Sequence, residues 1–206
     1  MNHNLTEKEV TPTVSVLPLR TPTLPPATHT NTVFLGREQV WIVDPATPYP
    51  EDQSRLLEAI EAKNAQGRNP AGIILTHHHR DHVGAAAWLS KTLALPVLAH
   101  PTTSALTGEQ ITIDRHLVEG DIVRGSESPD DRWEVLHTPG HASDHLVLWQ
   151  PESGAMIAGD MVAAIGTIVV VPPDGHMRTY IDQLRRLESL SPRFIVPSHG
   201  EVITDP

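Results

Sequence analysis

Residues 76–82 read Thr, His, His, His, Arg, Asp, His, which puts four histidines and a carboxylate within seven positions. They follow directly on the apolar run Gly72, Ile73, Ile74, Leu75. Such a run reads as a buried strand, and the histidine cluster as the loop that leaves it. Residues 83–89 then open a helix that the pattern carries to about Leu93. Imidazoles crowded between a strand end and a helix start make a natural seat for a metal.

The spacing has a geometric meaning. In extended chain, residues two apart project to the same side. His77 and His79 therefore reach one point together, while His78 faces away to pack or meet solvent. At the turn into the helix the direction changes, so Asp81 and His82 face a second, neighbouring point.

Composition narrows the chemistry. The 206 residues suit one domain, residues 1–206, with residues 1–12 as a loosely held polar tail. At 39% hydrophobic and only 4% aromatic, the core must be aliphatic. A net charge of −10 disfavours a phosphate backbone as partner, so nucleic acid is not expected and a small molecule is. The sequence gives no reading of oligomeric state. With no cysteine, disulfides, thiolate nucleophiles and cysteine-type zinc sites fall away together. Any metal must sit on imidazole and carboxylate, a set that suits zinc, iron or manganese. The N-terminus lacks a secretory pattern, and no apolar stretch approaches the ~20 residues that span a bilayer. A cytoplasmic protein without membrane contact is the expectation.

Along the chain, residues 14–17 read as a strand and residues 18–30, rich in Pro and Thr, as a rigid loop. Residues 32–35 and 40–43 form a hairpin that ends at Asp44. Residues 51–66 are the clearest helix, with Leu56, Leu57 and Ile60 on one face and Gly67 at the stop. Residues 96–99 are a short strand, 102–106 a brief helix, and 111–123 and 133–137 further strands. Strands at 145–149 and 155–158, a helix over 177–190 and a last strand at 194–196 complete the series. The mixture predicts an α/β fold of two sheets with helices outside, a four-layer αβ/βα sandwich, with strand ends converging on one edge.

Three further strand ends carry metal-competent side chains beside small residues, where backbone approaches closely. They are Thr138, Pro139, Gly140, His141; then Gly159, Asp160; then Ser198, His199, Gly200. Placed in this order behind the 77–82 cluster, these motifs resemble the metallo-β-lactamase-fold hydrolase superfamily over about residues 32–203. Residues 159–169, 180–187 and 195–203 look similar to its lactamase-β-like 2 branch. The resemblance implies a first metal on His77, His79 and His141, a second on Asp81, His82 and His199, and Asp160 between them. Asp44 matches an acidic position near the site, with the expected role of accepting a bond from a ligand imidazole. Of the other histidines, His3, His29, His116 and His176 are expected at the surface, His100 and His137 as structural, and His145 near the site only as a lesser reading.

The implied cofactors are two divalent ions, zinc first and iron or manganese next. The implied activity is hydrolysis of a small ester, thioester or lactone by a hydroxide shared between two metals, with Asp81 handling a proton. Two alternatives follow from the same resemblance: an endoribonuclease acting on single-stranded RNA, and a mononuclear iron enzyme that oxidises persulfides. The end at Pro206, short of the C-terminal segment usual in that branch, argues against the former. Residues 18–30 and 165–171 are the candidate pocket walls.

Overall fold

The computed structural model describes residues 5–204 and Pro206. Two sheets face one another. The first has seven strands in sequence order: β1 (Lys8–Thr11), β2 (Val14–Arg20), β3 (His29–Leu35), β4 (Gln39–Val43), β5 (Asn69–Ile74), β6 (Val97–Ala99) and β7 (Arg115–His116). It is antiparallel from β1 to β4 and parallel from β4 to β7. The second has six, in spatial order β13 (Ile203–Thr204), β12 (Phe194–Pro197), β11 (Ala155–Gly159), β10 (Leu146–Gln150), β9 (Arg132–His137) and β8 (Ile122–Arg124). Helices α1 (Pro50–Ala65), α2 (Arg80–Val83), α3 (Ala86–Leu93), α4 (Thr103–Thr107) and α5 (Met177–Ser189) complete the set.

The layers follow from two-residue alternation along buried strands. Val43 and Ile74 point into the core between the sheets, where they join Val135, Leu146, Leu148, Ile157 and Val196. Their neighbours Ile42 and Ile73 point outward and pack with Leu56 and Ile60 of α1 and Leu89 of α3. In the second sheet, Val147 and Met156 turn outward onto Leu187 of α5. The result is the four-layer αβ/βα sandwich. Among the described residues no helix is long and apolar enough to cross a membrane.

Four local expectations are corrected. Residues 8–11 are not loose tail: they pair with β2 as an edge strand, and Lys8 Nζ meets Glu201 at 2.7 Å. Residues 1–4 of that expected tail, His3 included, lie outside the described residues. The strand predicted to end at Leu17 runs to Arg20 through Pro18, and β3 begins already at His29. Pro18 pairs with Asn31 on one side while β1 reaches only to Val16 on the other. A residue on the open side of a strand can lack an N–H at little cost.

The helix after the cluster is two pieces, α2 and α3, broken at Gly84 and Ala85. There the chain crosses residues 45–48. Ala85 N–H donates to Pro45 O at 2.8 Å, and a Cβ on Gly84 would stand 2.3 Å from Ala46 O. Lastly, residues 203–204 add an edge strand beyond β12.

Candidate metal centre

Strand ends deliver the site. β5 releases Thr76 and His77, β9 leads into the loop holding His141, β11 ends at Gly159 before Asp160, and β12 ends just before Ser198 and His199. β9, β11 and β12 run in one direction, because β10 is antiparallel to both β9 and β11 while β12 is parallel to β11. Their C-terminal ends therefore share an edge. There they face the C-terminal ends of β4 and β5, so the histidine cluster comes from one sheet and His141, Asp160 and His199 from the other.

Two groups of ligand-competent atoms result. His77 Nε2, His79 Nδ1 and His141 Nε2 converge, with separations of 3.0, 3.0 and 3.3 Å. Asp81, His82 and His199 form the second group. His199 Nε2 lies 3.6 Å from Asp81 Oδ2, and 3.5 Å from Asp160 Oδ1. Asp160 faces both groups with different oxygens: Oδ1 lies 3.5 Å from His82 Nε2, and Oδ2 lies 3.5 Å from His141 Nε2.

The imidazoles are held from behind. His141 Nδ1 donates to Val169 O at 2.7 Å, and His199 Nδ1 to His29 O at 3.0 Å. His82 Nδ1 donates to Asp44 Oδ2 at 2.8 Å. The Thr76 hydroxyl donates to the same oxygen at 2.6 Å, leaving its lone pair to accept from His77 Nδ1 at 3.0 Å. Thr76 N–H completes the carboxylate at Oδ1, 2.8 Å away. With the Nδ1 atoms of His77, His82, His141 and His199 turned outward, their Nε2 atoms point inward, as does Nδ1 of His79.

These residues fit divalent cations. His77 and His141 have their Nδ1 protons committed outward, so within the trio only His79 has a proton left to give, and three converging ring nitrogens share at most that one. His82 Nε2 and Asp160 Oδ1 are buried and have no hydrogen-bond partner. Buried polar atoms are rarely left so, and each such orphan calls for an ion or a water. The ionisation pattern agrees. Burial pushes His79 down to about 4, helped by His141 and His78, and it also lowers His77 and His141. Those three present neutral, metal-ready nitrogens. His82 moves the other way: burial opposes its charge, but Asp160 and Asp44 outweigh burial and raise it well above the usual imidazole value. Burial would raise Asp160, yet His82 and His199 hold it well below the usual carboxylate range. The second group thus keeps a positive charge beside Asp160, where a cation would replace the proton.

Comparison with known proteins places the chain. The Lactamase_B family model, described as Metallo-beta-lactamase superfamily, matches residues 25–199. The chain belongs to the metallo-beta-lactamase superfamily. It is 28% identical to the probable metallo-hydrolase YqjP of Bacillus subtilis, over 93% of this chain and 73% of that one. It is 30% identical to the atrochrysone carboxyl ACP thioesterase of Aspergillus terreus, over 86% of this chain. Here the chain spans only about half of its relative's length, 51%. The crystal structure of TTHA1623 in a di-iron-bound form superposes with a TM-score of 0.72 at 28% identity, covering 90% of this chain and 94% of that one.

Other residues of the neighbourhood were harder to see in the sequence. His78 does face away from the ligand groups: its Nδ1 meets Asp144 Oδ1 at 2.9 Å, and Thr103 Oγ1 donates to the other oxygen of Asp144 at 2.8 Å. That pair ties the cluster loop to α4. His145, only a lesser reading in the sequence, is fully buried against His77, with ring centroids 5.0 Å apart. Its Nε2 accepts the Asp160 N–H at 3.0 Å, and its Nδ1 donates to Thr138 Oγ1 at 2.8 Å. Burial, then His141, hold it well below the usual imidazole value, so it stays an acceptor. Gly159 makes this approach feasible: its φ is 53°, and a Cβ there would come within 2.5 Å of His145 Nε2. His100 and His137 stack at 4.1 Å, away from the ligand groups.

Proposed function

We propose that the protein is a metal-dependent hydrolase that binds two divalent ions and cleaves a small ester, thioester or lactone. The observation that carries this reading is Asp160, whose two oxygens face two separate sets of inward-pointing ligand atoms. His77, His79 and His141 would hold one ion, Asp81, His82 and His199 the other, and Asp160 both. Zinc is the proposed occupant, and the di-iron form of TTHA1623 makes iron its competitor.

When bound, such ions supply Lewis acidity and make water nucleophilic at neutral pH. The chain's own residues do the rest. Fully buried His77, His82 and His145 close the rear of the site to solvent. His79, Asp81, His141, Asp160 and His199 face the cavity from which a substrate arrives. Asp44 fixes His82 directly and His77 through the Thr76 hydroxyl, so the ligand atoms are oriented before any ion binds. The partly exposed carboxylate of Asp81 borders that cavity and can take or return a proton. No nucleophilic serine or cysteine is needed. The thioesterase name of one relative supports thioesters among the candidate substrates.

The test joins metal analysis to turnover. Purified protein is expected to carry two divalent ions per chain and to hydrolyse members of an ester, thioester and lactone panel. Asp160→Ala should lose both. One iron per chain with persulfide oxidation, or cleavage of single-stranded RNA with no ester turnover, would overturn the reading.

A further inference from the structure

Above the ligand atoms lies a cavity of about 600 Å³. Its outer walls come from residues 22–27 and 165–171, the two segments on which the sequence placed the pocket. These walls are aliphatic. Leu24 is 67% exposed, Val171 60%, Ile165 41% and Val169 40%, and all four line this one cavity. Single exposed apolar side chains are ordinary, but several gathered round one opening mark a place where apolar matter docks. Each of them loses favourable burial while the cavity is filled by water.

The charge of the lining points the same way. The described residues that line the cavity include no lysine or arginine, but three carboxylates: Asp81, Asp160 and Asp174. Asp81 and Asp160 belong to the ligand groups. Asp174 stands on the wall, its Oδ1 accepting the Ser143 N–H at 3.1 Å and its Oδ2 buried without a partner. Asp174 has His78 and His79 beside it, but the walls hold no lysine or arginine to pair with an incoming anion, and a carboxylate can accept a hydrogen bond from a neutral donor.

We infer that the mouth of the cavity is a binding subsite for a neutral aliphatic chain. The acyl compound that reaches the centre is then an uncharged alkyl ester, thioester or lactone, and not one recognised through a carboxylate or phosphate. That this chain is part of a substrate rests on the hydrolase reading above, whereas its binding rests on the cavity walls alone.

Binding and turnover can be read separately. Metal-free protein is titrated by calorimetry with butanamide, hexanamide and octanamide, and with octanoate as an anion of the same length. The dissociation constant should fall about two- to fourfold per added methylene. Octanoate should bind at least about tenfold more weakly than octanamide, in line with ordinary like-charge costs. The double variant L24S/V171S, both positions being exposed, should fold and flatten the series. A flat series in the parent protein, or octanoate binding as tightly as octanamide, overturns the subsite. So does a flat series joined to self-association that the double variant abolishes, which would assign the patch to a second copy of this chain. In parallel, metal-loaded protein is assayed on p-nitrophenyl acetate, butyrate and octanoate. Amide binding that rises with length, without hydrolysis of these esters or of any member of the ester, thioester and lactone panel, keeps the subsite and removes the hydrolase reading.

Discussion

Asp44 Oδ2 accepts the Nδ1 proton of His82 at 2.8 Å while also taking the hydroxyl proton of Thr76, which in turn accepts from His77. One carboxylate, itself buried and at the positive φ of 48°, thereby sets the ring orientation of one histidine in each ligand group. Asp44→Asn keeps the size but replaces an acceptor oxygen by a donor or a weaker acceptor. The variant should bind metal about 10- to 100-fold more weakly, in the range found for lost supporting contacts. Competition against a chromophoric chelator measures it, and unchanged affinity at both sites would show the contact to be structural only.

Asp160 and His199 separate the two ligand groups. Because Asp160 faces both, Asp160→Ala should reduce bound metal from two ions towards none. His199 lies only in the second group, so His199→Ala should leave about one ion per chain. Elemental analysis after desalting decides between them, and equal stoichiometries in the two variants would contradict the shared role of Asp160.

Gly159→Ala tests the packing behind Asp160. The new Cβ would meet His145 Nε2 at 2.5 Å in a backbone that L-residues rarely adopt. Strain of this kind costs about 1–3 kcal/mol, before the displacement of His145 is counted. Urea unfolding of the metal-free variant should show at least that loss. A variant as stable as its parent would mean that His145 moves aside freely, and then metal binding should suffer instead.

The metal-free protein should be most stable near the ordinary imidazole value of about 6.5. His77, His79 and His145 are lowered in the folded state, His79 to about 4. Below pH 6.5 the unfolded chain takes up protons that the folded chain refuses, so stability falls as pH drops towards 4. His82 and His199 are raised, by Asp160 chiefly, against the opposing effect of burial. Their contribution is full below 6.5 and is lost as pH rises through their folded values. Unfolding curves across pH 4–9 in the presence of chelator should trace this dome. Added metal should lift its alkaline limb most, since the ion takes the place of protons that have left.

The fold was legible where the pattern was strong. Paired positions such as Ile42 with Val43, and Ile73 with Ile74, carry the two faces of the first sheet on their surface, and an aliphatic run admits few other readings. The loops that meet at one edge, those of His141, Asp160 and His199, were singled out by their order behind the 77–82 cluster, since any one of them alone reads as an ordinary strand end. What escaped the sequence is set by distant partners. β1 has a polar sequence, and its strand exists through pairing with β2 and the contact of Lys8 with Glu201, 193 positions away. The break at Gly84 answers to the backbone of Ala46, which no local window contains. The carbonyls of Val169 and His29 orient two imidazoles without involving their own side chains, so residue identity carries no trace of the role.

The candidate ligand atoms come from both sheets' edges, four residues from the loop and short helix α2 that follow β5 and three from the ends of the opposite strands. Ions seated there would add metal bonds to an interface otherwise joined by apolar packing and a few hydrogen bonds, such as those from Leu146 N–H to Thr76 O and from Asn31 N–H to Ser198 O. Opening of that edge and escape of the ions then become a single event, so amide protons on the two sides should slow their exchange together as the ions load.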